Sequence, residues 1–139
     1  MQRKWEIKIG DSVFEATVLD DLSPTTCKTL SKYLPHEGDV LHAAWSGDCI
    51  LILWEDLPEK IPIEPDFHAR SIYGIPGDVA WNPVTNDEIH ITYGYSQYRW
   101  RDGEVVHNLV ARITDKLDEL TEVCRKTRWA ATKGSVRQL

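Results

Sequence analysis

The stretch Arg99 to Lys126, "RWRDGEVVHNLVARITDKLDELTEVCRK", admits two readings, and the fold class turns on the choice. Val106, Val110, Ile113, Leu117, Leu120 and Cys124 recur at helical spacing, which suits one long amphipathic helix. Leu109, Ala111 and Ile113 also alternate, which suits a strand followed by a shorter helix. Asp115, with Asp118 three residues later, offers a helix start inside the stretch. Glu122 and Lys126 form a favourable i,i+4 pair within it. Asp102-Gly103 is a turn signal with strand-like sequence on both sides. The residues of this stretch leave both readings open.

The chain before it speaks for strands. In "KWEIKIGDSVFEATVLDD", Trp5, Ile7 and Ile9 share one face, with Glu6 and Lys8 on the other. The turn "GDS" then leads to a second alternating run from Val13 to Leu19, which predicts an antiparallel hairpin. In "DDLSPTTCKTLSKYLP" the period changes. Ser23 suits a helix cap, Pro24 the first helical position, and Cys27, Leu30 and Leu34 make an apolar stripe that Pro35 and Gly38 end. "DVLHAAWSGDCILILW" predicts two strands broken at Ser46-Gly47-Asp48, the second buried on both faces over Cys49 to Leu53. Pro58, Pro62, Pro65 and Pro76 make Glu55 to Pro76 a long irregular crossing. "GDVAWNP" and "EIHITYGY" predict further strands. Val79 and Trp81 share a face, as do Ile89, Ile91 and Tyr93, with Glu88, His90 and Thr92 on the opposite side. The tail "ATKGSVRQL" reads as frayed.

At 139 residues the chain suits one domain, set at residues 1–130 with a C-terminal tail over 131–139. The net charge of −6 argues against nucleic acid or an anionic membrane surface as partner, because both require a basic patch. The three cysteines are widely spaced with no C-x-x-C, and are expected as reduced, buried thiols. The start "MQRKWEIKIG" lacks an apolar signal core, and no membrane-length apolar run follows. The expectation is a cytoplasmic protein.

Three segments in order resemble the cyclophilin fold: "FEATVLDDLSPTTCKTLSKYL", "YGIPGDVAWNP" with "EIHITYG", and "WRDGEVVHNLVARITDKLDELTEV". With "HAAWSGD" between them, the chain resembles most a bacterial cyclophilin-like family of unknown function with a His-Ala-x-Trp-Ser-Gly signature. The resemblance implies a mainly β fold: a closed barrel of about eight strands with two covering helices. It implies a strand over about His107 to Ile113 and a helix from about Asp115 to Arg128. A barrel of that size is filled by side chains, which places any ligand on its outer face or rim. In cyclophilins an arginine directly follows a histidine at the strand matching "LHAAW". Here Ala43 follows His42, and Asp48, Cys49 and Leu51 replace apolar and amide groups of the groove. Trp100 matches the groove indole, and His90 or Ile91 replaces its phenylalanine. Without the guanidinium the main electrostatic contribution to proline isomerisation is missing, so little or no such activity is expected.

The candidate catalytic residues are His42, Glu88 and His90. Glu88 and His90, two apart on a strand, point the same way. A carboxylate beside an imidazole raises its pKa and can poise it as a base. The plain alternative is an exposed cross-strand pair of little energetic value. The candidate ligand-binding residues are Trp45, Ser46, Tyr93, Arg99 and Trp100. Arg99 suits a carboxylate and Trp100 a floor beneath it, while a surface charge beside a packed indole is the alternative. His107 and Asn108 flank the same Asp-Gly turn. No H-x-H or H-E-x-x-H occurs among the five histidines, so no metal and no cofactor is expected. The expected function is binding of a small carboxylate- or amide-bearing ligand in an altered groove. The alternatives are a hydrolase or isomerase with a histidine base, and a non-catalytic interaction module. A homo-oligomer is expected.

Overall fold

Trp5, Ile7 and Ile9 are fully buried on one face of strand β1 (Lys4–Ile9), and they set the inside of a closed barrel. The structure, a computed structural model, describes residues 2–139. Strand β2 (Ser12–Val18) completes the first hairpin, and helix α1 (Pro24–Lys32) follows. Next come β3 (His36–His42), β4 (Gly47–Leu53) and a 3-10 segment, Glu64–Ala69. Two short bridges, β5 (Arg70–Ser71) and β6 (Tyr73–Gly74), lead to β7 (Asp78–Trp81) and the long β8 (Glu88–Gln97). A two-residue ribbon, β9 (Arg99–Trp100) and β10 (Gly103–Glu104), precedes β11 (His107–Ile113), α2 (Leu117–Lys126) and β12 (Thr132–Gln138).

Eight strands close on themselves in the order β2-β1-β12-β3-β4-β8-β7-β11, and β11 pairs back onto β2. Every pairing is antiparallel. Closure removes the open sheet edges that would otherwise pair with other chains. The interior is filled by Trp5, Phe14, Ile50, Ile52, Trp81 and Ile91 among others, as a barrel of this size requires. The two helices cover it through Cys27 and Leu30 of α1 and Leu120 and Cys124 of α2, all fully buried.

The stretch that opened the question is a strand and then a helix. The strand carries a β-bulge: Leu109 opposes Ala80 and Ala111 opposes Val79, so Val110 is an extra residue. This corrects the simple alternation of Leu109, Ala111 and Ile113. Val110, Ala111 and Ile113 face the core, whereas Leu109 is only partly buried. A bulge of one residue reverses the facing of everything before it, which is why the stretch satisfied two periodicities at once.

Three further expectations are corrected. The tail is not frayed: β12 lies between β1 and β3 and pairs with both, so the domain runs on through residues 131–139. Its apolar signal is weak because Gly134 faces inward where a Cβ would sit 2.9 Å from Ile52, and Val136 is the one large buried side chain. The break in "HAAWSGD" falls at Ala43 to Ser46, with Ser46 N donating to the Ala43 carbonyl and β4 beginning at Gly47. Gly47 has φ +121°, and a Cβ there would meet the Tyr95 carbonyl oxygen at 2.5 Å. Finally, Ser23 precedes α1 without capping it through its side chain. The cap comes from the proline-rich crossing. Asp66 accepts from Thr25 N at 3.0 Å and from Thr26 N at 2.7 Å, and Ser23 donates its hydroxyl to the same carboxylate.

Candidate functional site

Register determines which side chains meet on the outer face of the barrel. Leu51 of β4 lies opposite His90 of β8, and Leu53 lies opposite Glu88. Leu41 of β3 lies opposite Leu51, and Ala80 of β7 opposite His90. Directly opposed residues share a face, and this face is opposite to that of Ile50, Ile52, Ile89 and Ile91, which fill the interior. It is not a solvated surface: Leu51 and His90 are each 2% exposed. The exposed-pair alternative for Glu88 and His90 is therefore excluded by burial.

The bulge at Val110 adds a third group. Inward Asn108 pairs with Trp81, so His107, one residue earlier, turns outward toward the ring of His90. The two imidazoles stand 4.4 Å apart at 85°, and Tyr98 stacks on His107 at 4.1 Å. Without the extra residue, strand parity would place His107 on the core side.

The walls come from loops. Trp45, from the turn between β3 and β4, meets Trp100 of the β9–β10 ribbon edge-on at 5.4 Å, and both indoles are close to half exposed. They are brought together by Ser46. Its hydroxyl accepts from Arg99 N at 3.0 Å and donates to Arg99 O at 3.2 Å, and its carbonyl accepts from Gln97 N. The result is a cavity of about 210 Å³ lined by Leu41, Leu51 and Leu53, by Trp45, Trp100, Arg99 and Val105, and by Asn82, Asp87, Glu88, His90 and His107. Drug-sized sites are roughly 300–1,000 Å³, so this one fits a small ligand. A larger hollow of about 340 Å³ lies over Val18 to Leu22. Its polar side chains are the Gln2 amide and the carboxylates Asp20 and Asp21, and Asp20 is already paired with Arg3, so it lacks convergent chemistry.

Electrostatics here depart from the expectation. His90 Nε2 lies 2.6 Å from Glu88 Oε2, yet the imidazole pKa is not raised. Burial disfavours both charged forms, pushing His90 down to about 3 and holding Glu88 above the usual carboxylate range. Burial raises Asp87 as well. His107 lies well below the ordinary histidine value, chiefly through burial and then through His90. Its Nδ1 donates to the Val105 carbonyl at 3.0 Å, which fixes the tautomer with a bare lone pair on Nε2. That Nε2, His90 Nδ1, Tyr98 OH and an Asp87 oxygen are buried without hydrogen-bond partners.

The sequence-derived candidates thus divide. Trp45, Glu88, His90, Arg99 and Trp100 line one pocket, and Ser46 ties it together from beneath. His42 and Tyr93 lie elsewhere. His42 opposes Ile50, so it shares the inward parity while Leu41 beside it faces the pocket. Its Nε2 contacts Tyr93 OH at 2.7 Å and accepts from Arg128 Nε at 3.3 Å. Burial and then Arg128 lower its pKa. Sequence reasoning did not assign His107, Asp87, Asn82, Val105 or the three leucines to the site. The uninterrupted apolar run "CILIL" signalled a strand buried on both faces and so the burial of Leu51 and Leu53, but the turn of His107 depends on a bulge.

A family model described as a protein of unknown function, DUF3830, matches residues 6–137. Among solved structures, the chain is similar to McbB in complex with tryptophan, at a TM-score of 0.69 and 17% identity over 96% of this chain. The chain spans 44% of the length of that protein. It is also similar to the hypothetical protein AF2241 from Archaeoglobus fulgidus in solution, at a TM-score of 0.63 and 15% identity, covering 99% of this chain and 95% of that one. At these identities the likeness is one of fold. No curated protein matches the chain.

Proposed function

We propose that this chain, which belongs to the DUF3830 family of proteins of unknown function, binds a small planar ligand bearing a carboxylate or amide in the pocket between Trp45, Trp100 and the Glu88–His90 floor. One observation carries the reading: two half-exposed indoles stand over a floor of buried polar atoms that lack partners. Orphaned buried donors and acceptors cost about 1–3 kcal/mol each, and a ligand that supplies partners recovers that. Arg99 offers a fork for a carboxylate. His42 and Tyr93 take no part. Glu88 and His90 acting as an acid–base pair on the bound molecule is the enzymatic form of the same proposal.

The finer fold reading is a cyclophilin-type barrel of a bacterial cytoplasmic protein with an altered groove. Its support is the order of segments, the absence of arginine after His42, and three buried unpaired thiols. Among the described residues no helix is long and apolar enough to cross a membrane.

The test is calorimetric titration and thermal melting with benzoate, benzamide and L-tryptophan. The last is included because McbB holds it and because it combines a flat ring with a carboxylate. A ligand at 100 times its dissociation constant adds about 2.7 kcal/mol to stability. Binding lost in Trp100→Ala supports the proposal. No heat and no shift in melting from any planar acid or amide would sink it. A second reading, a self-associating module, is favoured by Tyr73, Ile75 and Tyr95, which are all exposed, with the two tyrosine rings 6.4 Å apart. Light scattering that finds a monomer removes that reading.

A further inference from the structure

We infer that Glu88, His90 and His107 form a binding site for a divalent transition metal of the zinc type. One donor atom from each lies within 4.8 Å of the other two. Two imidazoles with one carboxylate is a borderline donor set, suited to zinc and its neighbours rather than to calcium or magnesium. His107 is already oriented as a ligand. Its Nδ1–H is committed to the Val105 carbonyl, so the free lone pair is on Nε2, and a backbone carbonyl in that role is a common outer support of metal-bound histidine. His107 is 1% exposed and its Nε2 has no partner, a condition that native structures rarely leave unexplained.

The fold builds the triad deliberately. Glu88 and His90 are adjacent outward positions of β8, while His107 reaches the same face only because Val110 is bulged out of register. Ala80 opposite His90 adds only a methyl group to that face. Three protein donors leave at least one position open, as in sites where a metal binds an exchangeable water or substrate. All three residues line the cavity beneath Trp45 and Trp100, so the open position would face that space. Sequence spacing gave no signal for a metal because two of the donors sit on β8 and the third on β11, seventeen residues beyond His90 and brought close only by the barrel.

The inference stands apart from the ligand proposal, because the metal alone is the probe. The chelator-treated full chain is titrated with Zn²⁺ by calorimetry and with Co²⁺ by visible absorption. The expected result is one Zn²⁺ per chain, with d–d bands for Co²⁺ that reflect nitrogen and oxygen donors. His107→Ala and Glu88→Gln should each weaken binding roughly tenfold or more, since even outer-shell losses cost 10–100-fold. His68→Ala, at an exposed histidine outside the cavity, should leave it unchanged. Circular dichroism of the metal-free variants establishes folding. Glu88→Gln keeps the side-chain shape, and it decides the matter if His107→Ala does not fold. Absence of stoichiometric binding by the wild type overturns the inference. So does unchanged affinity in the folded variants, or loss of binding in His68→Ala.

Discussion

Ser46 and Arg99 are joined through a single hydroxyl that accepts from the Arg99 amide at 3.0 Å and donates to the Arg99 carbonyl at 3.2 Å. This places the β9–β10 ribbon against the turn that carries Trp45. Ser46→Ala leaves both Arg99 groups without that partner, and a lost net hydrogen bond costs about 0.5–1.5 kcal/mol. The expected outcome is a lower melting temperature with the barrel intact, together with altered indole fluorescence as Trp45 and Trp100 separate. Unchanged fluorescence would show that Ser46 does not hold the two walls together.

Trp100 meets Trp45 edge-on at 5.4 Å over the pocket mouth. Aromatic pairing is worth about 0.5–1.5 kcal/mol beyond burial, so Trp100→Ala should weaken binding of an aromatic acid by about tenfold. Trp100→Phe should retain most of it. Calorimetric titration of both variants checks this. Equal affinities in the two would remove the aromatic wall from the account.

Asp66 is buried, and burial alone would raise its pKa. Hydrogen bonds from Thr26, Thr25 and Ser23 outweigh that and hold it below the usual carboxylate value. A depressed folded pKa means that the unfolded chain binds the proton more tightly. The stability Asp66 supplies is therefore complete above the unfolded value near 3.9 and is lost as pH falls through the lower folded value. Asp66→Asn should destabilise by about 1.5–3 kcal/mol at neutral pH, and the gap to wild type should close in acid. Denaturant melts at pH 7 and pH 3 measure it.

Burial pushes the thiols of Cys27 and Cys49 up to about 12 and raises Cys124 as well. Reactivity follows the thiolate. A chromogenic disulfide reagent should label no cysteine in the folded protein at pH 8 and all three after unfolding. Rapid labelling of the native state would show that the core opens readily.

Ala43 is fully buried where the cyclophilin resemblance would require an arginine exposed to a peptide. A proline-peptide assay should find little or no turnover. Robust turnover sensitive to cyclosporin would contradict the proposal of an altered groove.

Much of the fold was legible because alternation is a local property. Trp5, Ile7 and Ile9, and Ile89, Ile91 and Tyr93, declare a core face without any knowledge of their partners. The site was legible in part for the same reason: Glu88 and His90 share a face by parity alone. His42 lies outside the cavity although its motif neighbour Trp45 lines it, because its own parity turns it inward. The frayed reading of the tail failed because Gly134 has no side chain to signal burial, its place being taken by Val40 of the adjacent β3 and Ile52 of β4 beyond it.

The spacing of residues along single segments determined the alternating strands, their buried faces and the apolar stripe of the first helix, while the closed barrel and the division of Arg99 to Lys126 into a strand and a helix were implied by the family resemblance. Only the tertiary structure decided that Asp66 caps α1 across the chain, that β12 seals the barrel between β1 and β3, and that a bulge at Val110 turns His107 toward His90. Those outcomes depend on register between strands far apart in the chain. A shift of one residue there changes which face every preceding side chain occupies.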